Sequence, residues 1–241
     1  MKTICIIPAR YGSTRFPGKP LALINGKPMI QHVTEQAHKA FSPTKVVVAT
    51  DDERISRAVQ QLGFDAVITD THHRSGTERC AQALDMMNQN FDLVINIQGD
   101  EPFIDPQQID DLARLFDNQK VEIATLMLKT PAEKGIYNPN IVKVVTNTNG
   151  KALYFSRAPI PFTRDAAQEA KSFFMKHIGI YAYRSHVLKQ IVKLPPGALE
   201  EIEKLEQLRW LEHDFSIYVI ETFVENISVD TPEDLSKIIN R

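Results

Sequence analysis

The chain has 241 residues, 43% of them hydrophobic and 24% charged, a balance that excludes intrinsic disorder, collagen-like repeats and a coiled-coil rod. Its 28 basic and 30 acidic residues leave a formal net charge of −2, which argues against a nucleic-acid or membrane-surface coat while permitting a local cationic pocket. Cys5 and Cys80 form neither a disulfide framework nor a Cys-x-x-Cys pair, and no apolar run approaches a membrane span or signal peptide, so a reducing, cytoplasmic setting is expected.

In chain order, Thr3 to Pro8 (TICIIP) is a short buried-strand pattern that stops at a loop rich in glycine, serine and arginine. Apolar spacing turns helical from Met29 to Ala40. Lys45 to Thr50 is a second β-branched run, followed by a helix over Glu53 to Leu62 and a strand at Ala66 to Thr69. A helix from about Thr77 to Asn88 leads to a fourth strand, Asp92 to Gln98, which ends at Gly99. Strands alternating with helices of this length predict βαβ units and a mostly parallel sheet covered on both faces.

The second half changes character. Val121 to Leu128 reads as a strand, and Asn140 to Phe155 as two strands joined by a type I′ turn at Asn149-Gly150. Phe173 to Tyr183 is an aromatic-rich strand. The stripe Leu199, Ile202, Leu205, Leu208 and Leu211 predicts one helix from about Leu199 to His213. A strand at Ile217 to Ile220 and a terminal helix over Pro232 to Ile239 complete the chain. The fold class is therefore α/β, a mixed and mostly parallel sheet with helices on both faces, Rossmann-like.

Ligands of open parallel sheets bind beyond the carboxyl ends of the strands, and two motifs fall there. Pro8 to Lys19 (PARYGSTRFPGK) offers Arg10, Arg15 and Lys19, the hydroxyls of Ser13 and Thr14, and amides freed by Gly12 and Gly18, a set that suits a triphosphate. It is neither a Walker A loop nor a G-x-G-x-x-G turn. Asn96 to Pro102 (NIQGDEP) delivers Asp100 and Glu101 past a glycine, and a carboxylate there is a natural ligand for Mg²⁺ bridging phosphates.

Other motifs are ambiguous on spacing alone. In RSGTER, Ser75 and Glu78 have capping-box spacing, which explains them without a ligand. Asp230 with Glu233 in SVDTPED likewise reads as a helix start, with Pro232 in the first turn. His177, Gly179 and Tyr181 share one strand face, with room left at the glycine. Glu206 and Gln207 flank the apolar stripe of their helix, whose other carboxylates suit a solvated face.

Taken in order, PARYGSTRFPGKPL, HRSGTER, NIQGDEP, FSRAPIP, HIGIYAYR, LEQLRWLE and SVDTPEDL resemble the CMP-Kdo synthetases, the 3-deoxy-manno-octulosonate (Kdo) cytidylyltransferases of lipopolysaccharide biosynthesis, over nearly the whole chain. The resemblance implies a nucleotide-diphospho-sugar transferase fold in a single α/β domain over 1–241, with 1–120 the nucleotide-binding half and 121–241 the sugar-acid-binding and dimerisation half. It implies a homodimer that uses Mg²⁺, CTP and Kdo, with no nucleic-acid or membrane partner. Arg10, Ser13, Arg15 and Lys19 match the CTP-phosphate loop, and Arg74, Ser75, Thr77, Arg79 and Gln98 the other nucleotide-binding positions. Asp100 and Asp230 match the metal ligands, and with Arg10 and Lys19 they form the expected catalytic set. Arg157, His177, Tyr181, Glu206 and Gln207 match positions that hold the sugar acid, with Gln98 reaching both substrates. CMP-sialic acid synthetase, or a non-catalytic nucleotide sensor, is the competing reading.

Overall fold

A computed structural model describes residues 1–12, 16–165 and 172–239. The chain folds as two compact units: Met1–Arg114, Ala182–Val192 and Asn226–Arg241 in the first, Leu115–Tyr181 and Lys193–Glu225 in the second.

The first unit is built on parallel strands β1 (Thr3–Ala9), β4 (Pro43–Thr50), β5 (Ala66–Ile68) and β6 (Leu93–Asn96), in spatial order β6-β1-β4-β5. Cys5 is the pivot of the register, opposite Val46 on one side and Ile95 on the other. Ile4, Cys5, Ile6 and Ile7 are all fully buried, so both faces of β1 are covered, as a continuous rather than alternating apolar run requires. Helices α1 (Met29–Lys39), α2 (Glu53–Gln61) and α3 (Gly76–Asp85) pack on these strands.

Three elements of this unit escape the periodicity reading. A helix, α4 (Pro106–Leu115), follows Asp105, whose carboxylate accepts the Gln107 N–H at 2.8 Å just ahead of the first turn. A helix, α5 (Ser185–Ile191), packs on α3 and β6. A hairpin of β2 (Leu23–Ile24) and β3 (Lys27–Pro28) turns at Asn25 and Gly26, both left-handed. This is the conformation that a two-residue I′ turn demands.

The second unit holds β7 (Ile123–Pro131), β8 (Lys143–Thr146), β9 (Ala152–Ser156), β10 (Phe173–Arg184, whose last three residues belong to the first unit) and β11 (Ile217–Thr222). Its order is β11-β7-β10, with β8 pairing β10 and β9. The β11–β7 pair is parallel, whereas β8 runs antiparallel to β9 and β10, which makes the chain's sheet mixed.

Two local expectations are corrected here. The turn at Asn149-Gly150 is not type I′: only Gly150 is left-handed, its N–H donates to the Asn147 carbonyl, and Asn147 N–H donates to that of Lys151. The extra residue makes this a longer loop closed by one glycine. The helix expected over Leu199–His213 is two, α6 (Ala198–Glu203) and α7 (Gln207–Glu212), separated by Lys204 at φ 53°. The stripe breaks with it, since Leu205 and Leu208 are buried while Ile202 is 78% exposed.

The terminal helix α8 (Pro232–Ile239) returns to the first unit. There Val229 joins Ile24 and Met29 in a buried cluster. A division at residue 120 therefore does not describe the packing, because two later segments complete the first unit's core.

Candidate active site

A cavity of about 230 Å³ opens in the first unit beyond the carboxyl ends of β1 and β6. Pro8, Ala9 and Arg10 continue from β1, Gln98, Gly99 and Asp100 from β6, and His73 to Gly76 lead into α3. The strands approach so closely that a Cβ at Gly99 would lie 2.9 Å from the Pro8 carbonyl oxygen, a clash no side chain tolerates. Glycine in NIQGDEP thus lets Asp100 leave the strand directly beside the end of β1.

Lys19 is the centre of the pocket. Its ammonium donates to Asp100 Oδ2 at 2.6 Å and to Asp230 Oδ1 at 3.4 Å, joining residues 211 apart in sequence. Phe16 and Gly18 hold the turn that carries it: Gly18 N–H donates to the Tyr11 carbonyl at 2.9 Å, and Lys19 N–H to that of Phe16. The Tyr11 ring in turn lies 3.4 Å from the Arg54 guanidinium, and Asp52 grips that guanidinium through both oxygens. Arg10 lines the pocket from an exposed position. Ser13, Thr14 and Arg15 lie outside the described residues.

Asp230 is not the cap of α8. Thr231 Oγ1 accepts the Asp234 N–H while Asp234 Oδ2 accepts the Thr231 N–H, a reciprocal capping box that satisfies the helix start without Asp230. Glu233, the expected partner, is not part of it. The Asp230 carboxylate turns to Lys19 instead. At α3 the spacing reads correctly: Ser75 Oγ accepts the Glu78 N–H at 3.2 Å, and Glu78 Oε2 accepts the Arg74 N–H. The helix start, with Arg74 and Ser75 beside it, faces the cavity and favours an anion there.

Arg79 also lines the cavity, but its guanidinium is buried and committed to Asp51 (2.8 Å), Thr69 Oγ1 (2.6 Å) and the Asp70 carbonyl (3.3 Å). It braces the wall. Thr77 is buried in the first turn of α3, and Gln98 faces the cavity with its amide 3.4 Å from Asn96 Oδ1. His73 is a lining residue the motif reading passes over, although it adjoins Arg74 in the same string. Gln82 donates its amide N–H to Asp70 and accepts through Oε1, so His73 donates to it from Nε2 (2.6 Å), while His73 Nδ1 lies 3.9 Å from Glu78 Oε2.

Among the described residues no group of three or more His, Cys, Asp or Glu side chains could hold a metal by itself. The pair Asp100 and Asp230 nevertheless fits Mg²⁺. Both carboxylates already meet on one cationic group at a half-exposed pocket, and Mg²⁺ characteristically takes one or two carboxylates and completes its shell with water and phosphate oxygens.

The second unit carries the other candidates. His177 packs against Phe155 and Tyr181, with ring centroids 5.1 and 5.4 Å away, and desolvation pushes its pKa down to about 3. It is neutral at physiological pH. Thr125 Oγ1, with its single proton, donates to the Ile180 carbonyl at 2.7 Å, so at 3.0 Å His177 Nε2 is the donor to Thr125, and Nδ1 is the acceptor left over. Tyr181 is buried edge-on against Trp210, and burial holds its phenol protonated, well above its ordinary pKa. Gln207 is buried at the start of α7 and Glu206 is half-buried just before it.

Arg157 is spent on backbone. Its guanidinium donates to the carbonyls of Glu203 (2.8 Å), Pro139 (2.8 Å) and Lys204 (3.4 Å), while its N–H donates to the Glu203 carboxylate. It holds the left-handed corner that delivers Glu206 and Gln207.

Comparison with known proteins agrees with this geometry. Residues 4–231 match the family model for cytidylyltransferases. The chain is 51% identical to 3-deoxy-manno-octulosonate cytidylyltransferase of Cytophaga hutchinsonii, covering 98% of this chain and 95% of that protein. It is 50% identical to the enzyme of the same name from Parabacteroides distasonis, covering 99% and 97%. Among solved structures, CMP:2-keto-3-deoxy-manno-octonic acid synthetase complexed with CTP superposes with a TM-score of 0.93 at 43% identity, covering 100% of this chain and 98% of that one. A cation-lined pocket at the carboxyl end of a parallel sheet, in a chain this similar to those enzymes, identifies a nucleotidyltransferase: the chain belongs to the cytidylyltransferase family.

Proposed function

We propose that the protein catalyses CTP + Kdo → CMP-Kdo + diphosphate, with Mg²⁺ held by Asp100 and Asp230. The observation that carries this reading is the meeting of those two carboxylates on Lys19 in a pocket otherwise rich in cations and helix amides.

The anomeric hydroxyl of Kdo attacks the α-phosphorus of CTP, the bond to the β-phosphate oxygen breaks, and the hydroxyl proton is lost to solvent. Arg10 and Lys19 face the charge that moves onto the departing diphosphate, where fixed cations in a partly desolvated site act most strongly. The start of α3 and Arg74 hold the nucleotide, and Gln98 spans both substrates. A bound Mg²⁺ supplies Lewis acidity, lowering the pKa of the attacking hydroxyl and neutralising phosphate oxygens. His177 contributes a bare Nδ1, which accepts from a sugar hydroxyl but cannot pair with the acid's carboxylate while neutral. Tyr181 donates a phenolic hydrogen bond, and Gln207 and Glu206 complete the polar set. Buried polar groups of this kind reject a wrong sugar by going unpaired.

The protein acts as a homodimer through its second unit, where Leu153, Phe162, Ile202 and Phe223 are exposed. A cytoplasmic setting is supported by two buried free cysteines, and no described helix is long and apolar enough to cross a membrane. The product serves lipopolysaccharide assembly. The test is diphosphate release from CTP and Mg²⁺ offered Kdo, sialic acid or no acceptor: release with Kdo alone is expected, and equal release with sialic acid, or none with either, overturns the assignment.

A further inference from the structure

Asp230 sits at the end of a segment without regular structure, residues 223–231, in which Phe223, Val224 and Ile227 are exposed. Something must hold such a segment if its carboxylate is to stay beside Asp100. Two contacts do. Val229 buries its side chain in the first unit's core and donates its N–H to the Asp100 carbonyl at 3.0 Å. Three residues earlier, Asn226 donates Nδ2–H to Glu101 Oε2 at 2.6 Å, with both side chains 8% exposed.

The two bonds bracket the site in register: Glu101 follows Asp100 directly, and Asn226 and Val229 precede Asp230 in the same unit. Asn226 Oδ1 is buried without a hydrogen-bond partner among the described residues. The segment therefore tolerates an orphan acceptor to keep the one donor that reaches Glu101. A carboxamide whose sole described hydrogen bond crosses 125 residues of sequence to a buried carboxyl group is costly to bury for packing alone.

We infer that Glu101 and Asn226 are a buried positioning pair that locks the Asp230 segment against the Asp100 turn, setting the carboxylate spacing the divalent cation requires. Neither is a catalytic residue. The pair acts as outer-shell partners of metal ligands do, orienting groups it does not replace. This rests on the reading of Asp100 and Asp230 as the Mg²⁺ site, and the experiment separates the two claims.

Asn226→Asp sets two carboxylates against each other, Glu101→Ala removes the acceptor, and Glu101→Gln keeps one. Combining Glu101→Gln with Asn226→Asp restores the bond with donor and acceptor exchanged. Mn²⁺ binding to the CTP-loaded protein without acceptor sugar, followed by electron paramagnetic resonance, and half-saturating Mg²⁺ in the diphosphate assay are measured for each, with thermal unfolding and the exchange rate of the Val229 amide. Asn226→Asp and Glu101→Ala should weaken cation binding about 10-fold or more, the scale of losing an outer-shell partner. The Val229 amide should exchange faster in both, and turnover should recover at saturating Mg²⁺. Glu101→Gln and the exchanged pair should stay within about twofold of wild type. Should Asn226→Asp fail to fold, Asn226→Ala carries the same expectation. Unchanged Mn²⁺ affinity in Asn226→Asp, Asn226→Ala and Glu101→Ala, or an exchanged pair no better than Asn226→Asp, overturns the positioning role. A wild-type protein indifferent to divalent cations sinks the metal site itself.

Discussion

The two units solve opposite problems. In the first, the candidate groups are charged side chains at the rim of a sheet: Lys19, Asp100 and Asp230, partly exposed and held by one another, with Arg10 lining the same pocket. In the second they are mainly neutral polar groups set among aromatic rings, with His177 stripped of its proton and Tyr181 kept in possession of its own by burial. Phosphate chemistry needs charge that can follow a moving electron pair. Recognition of a polyhydroxy acid needs directional donors and acceptors whose protonation state does not drift. The first unit should therefore govern the chemical step and the second the choice of acceptor.

Substitutions can break that division. Asp100→Asn should cut turnover by at least ~100-fold, the loss typical of one charge-stabilising group, while circular dichroism and the melting transition stay close to wild type. Lys19→Ala should slow single-turnover formation of CMP-Kdo by roughly 10- to 100-fold, and an unchanged single-turnover rate would remove Lys19 from the chemical step. His177→Ala should raise KM for the sugar acid about 10-fold with KM for CTP within about twofold, since losing one buried polar contact is worth roughly 1–2 kcal/mol. Equal changes in both constants would erase the distinction between the units.

His177 also predicts a pH signature. Folded, its pKa lies at about 3; unfolded, near 6.5, so between those values the unfolded chain binds the extra proton. Stability falls as pH drops below about 6.5, by up to about 1.4 kcal/mol per pH unit from this group. His177→Gln should flatten the urea-unfolding free energy between pH 4 and 6.5, and an unaltered slope would contradict a desolvated neutral imidazole. The smallest effect is at Lys204, whose left-handed backbone burdens a residue with a side chain. Lys204→Gly should stabilise the second unit by about 0.5 kcal/mol without altering either KM.

What could be read in the sequence was mostly what repeats. The apolar runs of β1, β4 and β6 and the periodic faces of α1 and α2 follow from residues alone, because burial on both sides or one side leaves a period. What failed was local and conformational. Asn25-Gly26 makes the I′ turn while Asn149-Gly150 does not, because the same dipeptide is read differently when an extra residue separates the paired strands. Lys204 breaks a helix that a leucine stripe predicts, and Arg157, pinned to three carbonyls, holds the break.

The site shows the same limit. Motif strings point to Lys19, Asp100 and Arg79 alike, but only the fold reveals that Arg79 is committed to Asp51, Thr69 and the Asp70 carbonyl while Lys19 bridges two carboxylates. Asp230 is the instructive case. Spacing reads Asp230 with Glu233 as the helix start, whereas the structure gives the cap to Thr231 with Asp234, leaving the Asp230 carboxylate for Lys19. The pairing of Glu101 with Asn226 carries no signal in sequence: the motif offers Glu101 only as a carboxylate beside Asp100, and an asparagine in a loop is ordinary until the two are found buried together.

The central claim is that Asp100 and Asp230 serve one cation, and a double-mutant cycle tests it most directly. Turnover and Mn²⁺ affinity are measured for Asp100→Asn, Asp230→Asn and the pair combined. If both carboxylates hold the same ion, either substitution removes most of its effect and the double variant is little worse than the poorer single one, a strongly non-additive result. Losses that multiply, with each single variant still binding Mn²⁺ as tightly as wild type, would contradict the shared site.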